Sequence, residues 1–204
     1  MPIMPKFAIV TPTIAGRERL LLSALATANA QDFRDFVHLV VSDGPATPEM
    51  KRACDFFGAK LEEVERVGKW GFNCRNHAIQ KMEPAEYYTF LDDDNLIYRG
   101  FLWAFAAQSK ASGNPPLLAQ RIHFLKRWEV ERGNMQSRAW MELPWSIPPV
   151  KGGWDQLNAC VRRDVALAVP FKGEYEQDFY FVLDCIAHCN SQPVMTEAIG
   201  GVHI

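Results

Sequence analysis

The stretch Tyr87-Tyr88-Thr89-Phe90-Leu91-Asp92-Asp93-Asp94 decides how this chain is read. Its first five residues are aromatic, β-branched or aliphatic and fit a buried strand. The three aspartates fall where that strand ends. Carboxylates a few ångströms apart repel one another, and a cation at that spot would remove the cost. Asp92 and Asp94 are two residues apart, so in an extended segment they point the same way. Magnesium or manganese takes one or two carboxylates and completes its shell with water and phosphate oxygens. A solvated acidic turn suits a lone pair of aspartates. An apolar strand running straight into the acidic run favours a metal and phosphate site.

Upstream of this strand the chain alternates strand and helix patterns with a period of roughly thirty residues. Lys6 to Thr11 reads as a strand that Pro12 stops. From about Gly16, Leu20, Leu21, Ala24, Leu25 and Ala28 follow helical spacing. Phe36 to Ser42 is a second strand, closed by Asp43-Gly44-Pro45. Pro48 opens a helix that runs to about Phe57, with Gly58 just past its end. A third strand is expected over Lys60 to Val67, and a helix from the Gly68–Asn73 loop to about Met82. This is an α/β pattern with a mainly parallel sheet, whose strands are apolar because both faces are covered.

Downstream, Tyr98 to Ala111 looks helical and Leu117 to Lys126 extended. Trp128 to Trp154 is rich in Trp, Pro, Gly and Met and reads as a long functional loop. Asp155 to Val161 is a candidate strand, Glu176 to Cys189 an amphipathic helix, and a short strand is expected near Val194. No repeat or linker interrupts the 204 residues, which suffice for one domain. The net charge of −2 gives no sign of a nucleic-acid partner. No apolar run is long enough to span a membrane, and the N-terminus lacks a signal-peptide core, so a cytoplasmic protein is expected. The five cysteines include no C-x-x-C pair and suit reduced thiols. A zinc site on the helix face of Cys185, His188 and Cys189 lacks a second ligand pair.

Open α/β sheets bind ligands at the carboxyl ends of their strands. Thr11, Asp43 and the aspartate run close three predicted strands and would share one rim. Asp43 before Gly44 fits a turn, and equally an acceptor for a base N–H or a ribose hydroxyl. Arg75, near the start of a helix, fits a solvated arginine or a phosphate ligand. Asp178 in the first turn of the last helix is fully explained by the helix dipole, which the sequence alone favours; the alternative is a general base, which needs a carboxylate positioned against a hydroxyl. His203 is a solvated terminal histidine, or a third metal ligand if the chain end folds back onto the rim. Trp140, Trp145 and Trp154 suit core packing, or aromatic platforms for the C–H faces of sugars and other flat ligands.

Four stretches, taken together, resemble the family 2 glycosyltransferases. FAIVTPTIAGRERL, from Phe7, is similar to that family's first strand and turn. QDFRDFVHLVVSDG, from Gln31, resembles its second strand with a nucleotide-contacting aspartate. RNHAIQKMEPAEYYTFLDDDN, from Arg75, resembles its helix, strand and D-x-D signature, and EYEQDFYF, from Glu174, its acidic motif. In that motif Gln177 stands where the family usually carries Glu.

The resemblance implies a three-layer α/β/α GT-A (Rossmann-like) fold. Residues 1–97 would form the nucleotide-sugar half and 98–204 the acceptor half. Thr11, Asp43, Arg75, Asp92 and Asp93 would bind the nucleotide of a UDP- or GDP-sugar. Asp94, with Asp92 and His203, would hold Mn²⁺ or Mg²⁺. Asp178 would be the base in an inverting transfer to the hydroxyl of a glycan, a lipid-linked sugar or another compound. Two alternatives are a nucleotidyltransferase that makes nucleotide sugars and a non-catalytic nucleotide-sugar binder. A nucleotidyltransferase needs a Gly-rich basic loop after the first strand, and Gly16-Arg17-Glu18-Arg19 is a poor one.

Overall fold

The computed structural model describes residues 4–69, 71–126, 139–142, 149, 154–173 and 176–203. Its first half alternates as the sequence implies: β1 (Phe7–Thr13), α1 (Glu18–Asn29), β2 (Phe36–Asp43), α2 (Pro48–Phe57), β3 (Lys60–Val64), α3 (Phe72–Lys81) and β4 (Tyr87–Phe90). β5 (Leu96–Ile97), α4 (Phe101–Ala111), β6 (Leu117–Lys126) and β7 (Ala139–Glu142) follow. A 3₁₀ turn at Gln156–Asn158 leads to β8 (Ala159–Arg162), α5 (Arg163–Ala168), α6 (Gln177–Cys189) and β9 (Val194–His203).

The strands form one sheet in the order β3-β2-β1-β4-β8-β6-β9-β5, with β7 on β6. β3, β2, β1 and β4 are mutually parallel, so their carboxyl ends share one rim. Beyond β4 the sheet is mixed: β8 runs antiparallel to β4 and β6, and β9 runs parallel to β6. Residues on β1 alternate between the two faces. Ala8 and Val10 join a core with Tyr88, Phe90, Ala78 and Val182, whereas Phe7 and Ile9 join Tyr87, Ala24 and Phe105. Burial on both faces is what makes these strands apolar throughout.

Local chemistry sets the element ends. Thr47 caps α2 by accepting from the Met50 N–H at 3.3 Å, Pro48 occupies its first turn, and Gly58 ends it with φ of 69°. On α1 the buried residues Leu21, Ala24, Leu25 and Ala28 form one stripe.

Three expectations need correction. Pro12 does not stop β1, which runs on to Thr13 paired with Ser42. The Leu91 N–H donates to the Val10 carbonyl, so residues of even number on β1 face β4. The paired part of β4 ends at Phe90, and the donor that Pro12 lacks therefore falls where no partner strand needs it. The segment Asp155–Val161 opens as a 3₁₀ turn before its strand begins at Ala159. The terminal strand is ten residues long and ends at His203, carrying the chain back to the rim. The Trp-rich segment read as a loop lies mostly outside the described residues.

His38 on β2 is 6% exposed and shares a 2.8 Å hydrogen bond with Thr11. Burial pushes its pKa down to about 4. The unfolded chain therefore takes up this proton first as pH falls, and stability drops through the window from about 6.5 to about 4. Urea denaturation should show a loss of about 3 kcal/mol across that window, and His38→Gln should remove this component.

Candidate active site

The carboxyl rim opens into a cleft of about 720 Å³. β1 supplies Pro12 and Thr13, the turn after it Ile14 and Arg17, and β2 Asp43. Gly68, Gly71 and Arg75 come from the β3–α3 connection and α3. Asp92, Asp93 and Asp94 lie beyond β4, with Gln156 opposite. Glu176, Gln177 and Asp178 at the head of α6, and His203 at the end of β9, complete the wall.

Arg75 forms the floor. It is 1% exposed, donates from Nη2 to Asp92 Oδ1 at 2.5 Å and lies 5.4 Å from the Phe171 ring centre. Burial opposes its charge, but the fields of Asp92, Asp178 and Asp155 outweigh that and raise its pKa. Gln156 Nε2 also donates to Asp92. Asp92 nonetheless sits at a pKa of about 6, pushed up by burial against the pull of Arg75, with Asp155, Asp94 and Asp93 adding to the rise.

The three aspartates have separate surroundings. Asp93 is 4% exposed and accepts from Thr13 Oγ1 at 2.7 Å and from Arg17. Asp94 is the outermost, and Arg17 Nη2 reaches its Oδ2 at 2.7 Å. Across the cleft, an aromatic group seats the head of α6. Phe171 and Phe181 stack at 3.8 Å, and Phe90 at the end of β4 meets them edge-on at 4.9 and 5.7 Å. That packing brings Asp178 over the end of β4. Its Oδ1 is buried with no hydrogen-bond partner among the described residues. Burial pushes its pKa up to about 7; Arg75 and His203 oppose the rise, while Asp155 and Asp92 add to it. Glu176, which leads into α6, has φ of 61°. A left-handed non-glycine residue costs on the order of 1 kcal/mol and tends to mark functional positions.

Asp43 serves the cleft differently from a plain turn residue. It accepts from the Val67 N–H and Gly68 N–H at 2.7 Å each and from Asn73 Nδ2 at 3.0 Å. Burial works against its charge, yet these donors and Arg66 hold its carboxyl below the usual range. Asp43 thereby folds the loop that forms one cleft wall. Gly71 closes that loop with φ of 71°, where a Cβ would lie 2.7 Å from Pro12. No other residue fits there without moving β1.

Several residues lie elsewhere than the sequence suggested. Thr11 is fully buried on His38 and does not line the cleft; Thr13 does. Trp154 is 6% exposed and packs in the core. Trp140 lies on β7 opposite Leu125, and Trp145 lies outside the described residues. His203 reaches the cleft because β9 is long, and its Nδ1 lies 2.9 Å from Asp155 Oδ2. Burial works against its proton, but Asp155, Asp92 and Asp94 raise its pKa overall. Arg17, Thr13, Asp155 and Gln156 are new members of the site. Thr13 follows from period-two alternation once β1 is seen to continue past Pro12. The other three had no signal beyond their residue types. Among the described residues no group of three or more His, Cys, Asp and Glu encloses a metal position, the α6 cysteines included.

No protein-family model and no curated protein sequence matches the chain. Solved structures do. S. aureus TarS (residues 1–349), in complex with UDP-GlcNAc, superposes with a TM-score of 0.71 over 97% of this chain at 18% identity. The mannosyltransferase PcManGT from Pyrobaculum calidifontis, in complex with GDP-Man and Mn²⁺, gives 0.63 over 99% at 14%. This chain spans 58% and 57% of those two chains, and 36% of a longer TarS structure. The likeness establishes the GT-A fold.

Arg75→Met should leave the half-buried Asp92 and its acidic neighbours without their buried counter-charge. Chemical denaturation should show a loss of about 3 kcal/mol or more. The charge-balanced pair Arg75→Met with Asp92→Asn should recover most of that loss.

Proposed function

We propose that this chain is a metal-dependent, inverting glycosyltransferase that moves a sugar from a UDP- or GDP-sugar to an acceptor hydroxyl. The observation that carries this reading is Asp178: a recessed carboxylate that lines the same cleft as the aspartate run, with one oxygen unpartnered among the described residues and a pKa that burial raises. A general base needs that combination of reach and basicity. The fold supports the donor class, because structures sharing it hold UDP-GlcNAc and GDP-Man.

The residue types at the rim suit a divalent ion. Asp94 supplies a hard, outward carboxylate, and His203 supplies an imidazole whose Nδ1 is held by Asp155. A carboxylate oriented in this way fixes the ring of a metal-binding histidine. Asp94 and His203 would hold Mn²⁺ or Mg²⁺, with Asp92 behind them. When bound, such an ion supplies charge stabilisation to a leaving diphosphate.

The chain's own residues account for the remaining steps. Asp43 and the Gly68 loop shape the wall for the nucleoside. Arg75 places a permanent positive charge beneath the diphosphate end. Asp178 takes the proton from the acceptor hydroxyl as its oxygen attacks the anomeric carbon. The carbon–phosphate oxygen bond breaks on the opposite face, and the nucleoside diphosphate leaves. One displacement of this kind inverts the anomeric centre. The stacked Phe171 and Phe181, with Phe90 edge-on to both, keep Asp178 in register with the rim.

Calorimetry with UDP and GDP, each with and without Mn²⁺, tests the reading. One of the two should bind, and Mn²⁺ should tighten it. Asp94→Asn should remove that enhancement. Asp178→Asn should leave binding intact and lower transfer by about 10² to 10⁴. Failure of both nucleotides to bind would contradict the proposal.

A further inference from the structure

The aspartate run already holds a cation of the protein's own. Arg17, at the entry to α1, reaches the end of β4 with its guanidinium. Its Nε donates to both oxygens of Asp93 at 2.9 Å. Its Nη2 donates to Asp93 Oδ1 at 2.6 Å and to Asp94 Oδ2 at 2.7 Å. One terminal nitrogen is thus shared between the two carboxylates.

Those carboxylates are held very differently. The side chain of Asp93 is 5% exposed, grips Arg17 through both oxygens and is fixed from behind by Thr13. The side chain of Asp94 is 37% exposed, and Arg17 is its one hydrogen-bond partner among the described residues. Arg17 is therefore anchored by Asp93 whether or not it keeps Asp94. A half-exposed carboxylate held by one donor turns away at small cost, whereas a buried one held by three donors does not.

We propose that Arg17 is a resident competitor for the divalent cation at Asp94: its guanidinium, fixed on Asp93, neutralises Asp94 until a metal ion takes that carboxylate from it. The proposal rests on the reading of Asp94 as a metal ligand. An ion arriving alone gives up part of its attraction to Asp94 by breaking a charge-assisted hydrogen bond, and it then lies beside a fixed positive charge. A diphosphate brings negative charge that offsets both terms. Metal and nucleotide consequently favour one another, and by linkage the coupling is the same in either order of addition. Arg17 sets the cleft to hold metal poorly without donor. It acts through Asp94, and so is a positioning residue.

The test is a Mn²⁺ titration of the whole chain without nucleotide, read by the electron paramagnetic resonance of free Mn²⁺. The main variant is Arg17→Gln with Asp93→Asn, which keeps the net charge and leaves no buried carboxylate without its counter-charge. It should bind Mn²⁺ roughly fivefold more tightly than the parent, the worth of about one such contact. Adding Asp94→Asn should abolish the gain, and UDP or GDP should enhance Mn²⁺ binding less in the double variant than in the parent. Arg17→Lys keeps a charge on Asp93 but cannot span both carboxylates, and it should show a smaller gain in the same direction. Circular dichroism reports whether each variant is folded. Unchanged or weaker Mn²⁺ affinity in the folded variants overturns the role of Arg17 and leaves Asp94 a ligand, provided Asp94→Asn alone weakens Mn²⁺. Absence of Mn²⁺ binding to the parent, even with UDP or GDP present, overturns both readings.

Discussion

One buried guanidinium organises this cleft. Arg75 sits almost out of solvent at the carboxyl end of a parallel sheet, and Asp92, Asp155 and Asp178 all converge on its charge. Taking an arginine out of water is expensive, and only close carboxylates offset it. The carboxylates in turn tolerate their own crowding because Arg75 lies among them. Each member comes from a different part of the chain: α3, the turn after β4, the 3₁₀ turn before β8, and the head of α6. The charge cluster is thus also a tertiary clamp that ties the parallel half of the sheet to the mixed half.

The aspartate run is divided by these partners. Asp92 belongs to Arg75, Asp93 to Thr13 and Arg17, and Asp94 to the open side of the cleft. Two arginines therefore neutralise most of the run from within, one from below and one from the side. The net result is a rim whose outermost carboxylate is Asp94, with a carboxylate at Asp178 across the cleft whose pKa burial raises. Raised carboxyl pKa values of this kind oppose folding at neutral pH, because the deprotonated form is poorly solvated. A site that keeps them has exchanged stability for basicity.

Much of the parallel half was legible in the sequence because its signals are local. Apolar runs, Pro48 at a helix start and Gly58 at a helix end each act within a few residues. Asp43 and the aspartate run could be placed on one rim from strand polarity alone. The errors have physical causes too. Pro12 ordinarily breaks a strand, and only the early end of β4 leaves room for it. That continuation puts Thr13 on the cleft and leaves Thr11 buried on His38. Trp154 went to the core, the commoner fate of a tryptophan. The partners of His203 and Arg17 were not legible, because His203 meets Asp155 only once β9 pairs with β6, and Arg17 meets Asp93 and Asp94 only once the entry to α1 lies beside the turn after β4. Such contacts join residues 48 and 76 positions apart and leave no mark on the hydrophobic period.

In the function proposed for it, this rim receives a nucleoside diphosphate at the aspartate run with its base toward Asp43. A crystal of the chain soaked with UDP or GDP and Mn²⁺ addresses it most directly, with the metal located by its anomalous scattering. The expected result is a metal peak at Asp94 and His203, the diphosphate beside it, and the nucleoside against the Asp43–Gly68 wall. A nucleotide bound outside the cleft, or a metal peak away from Asp94, would contradict it.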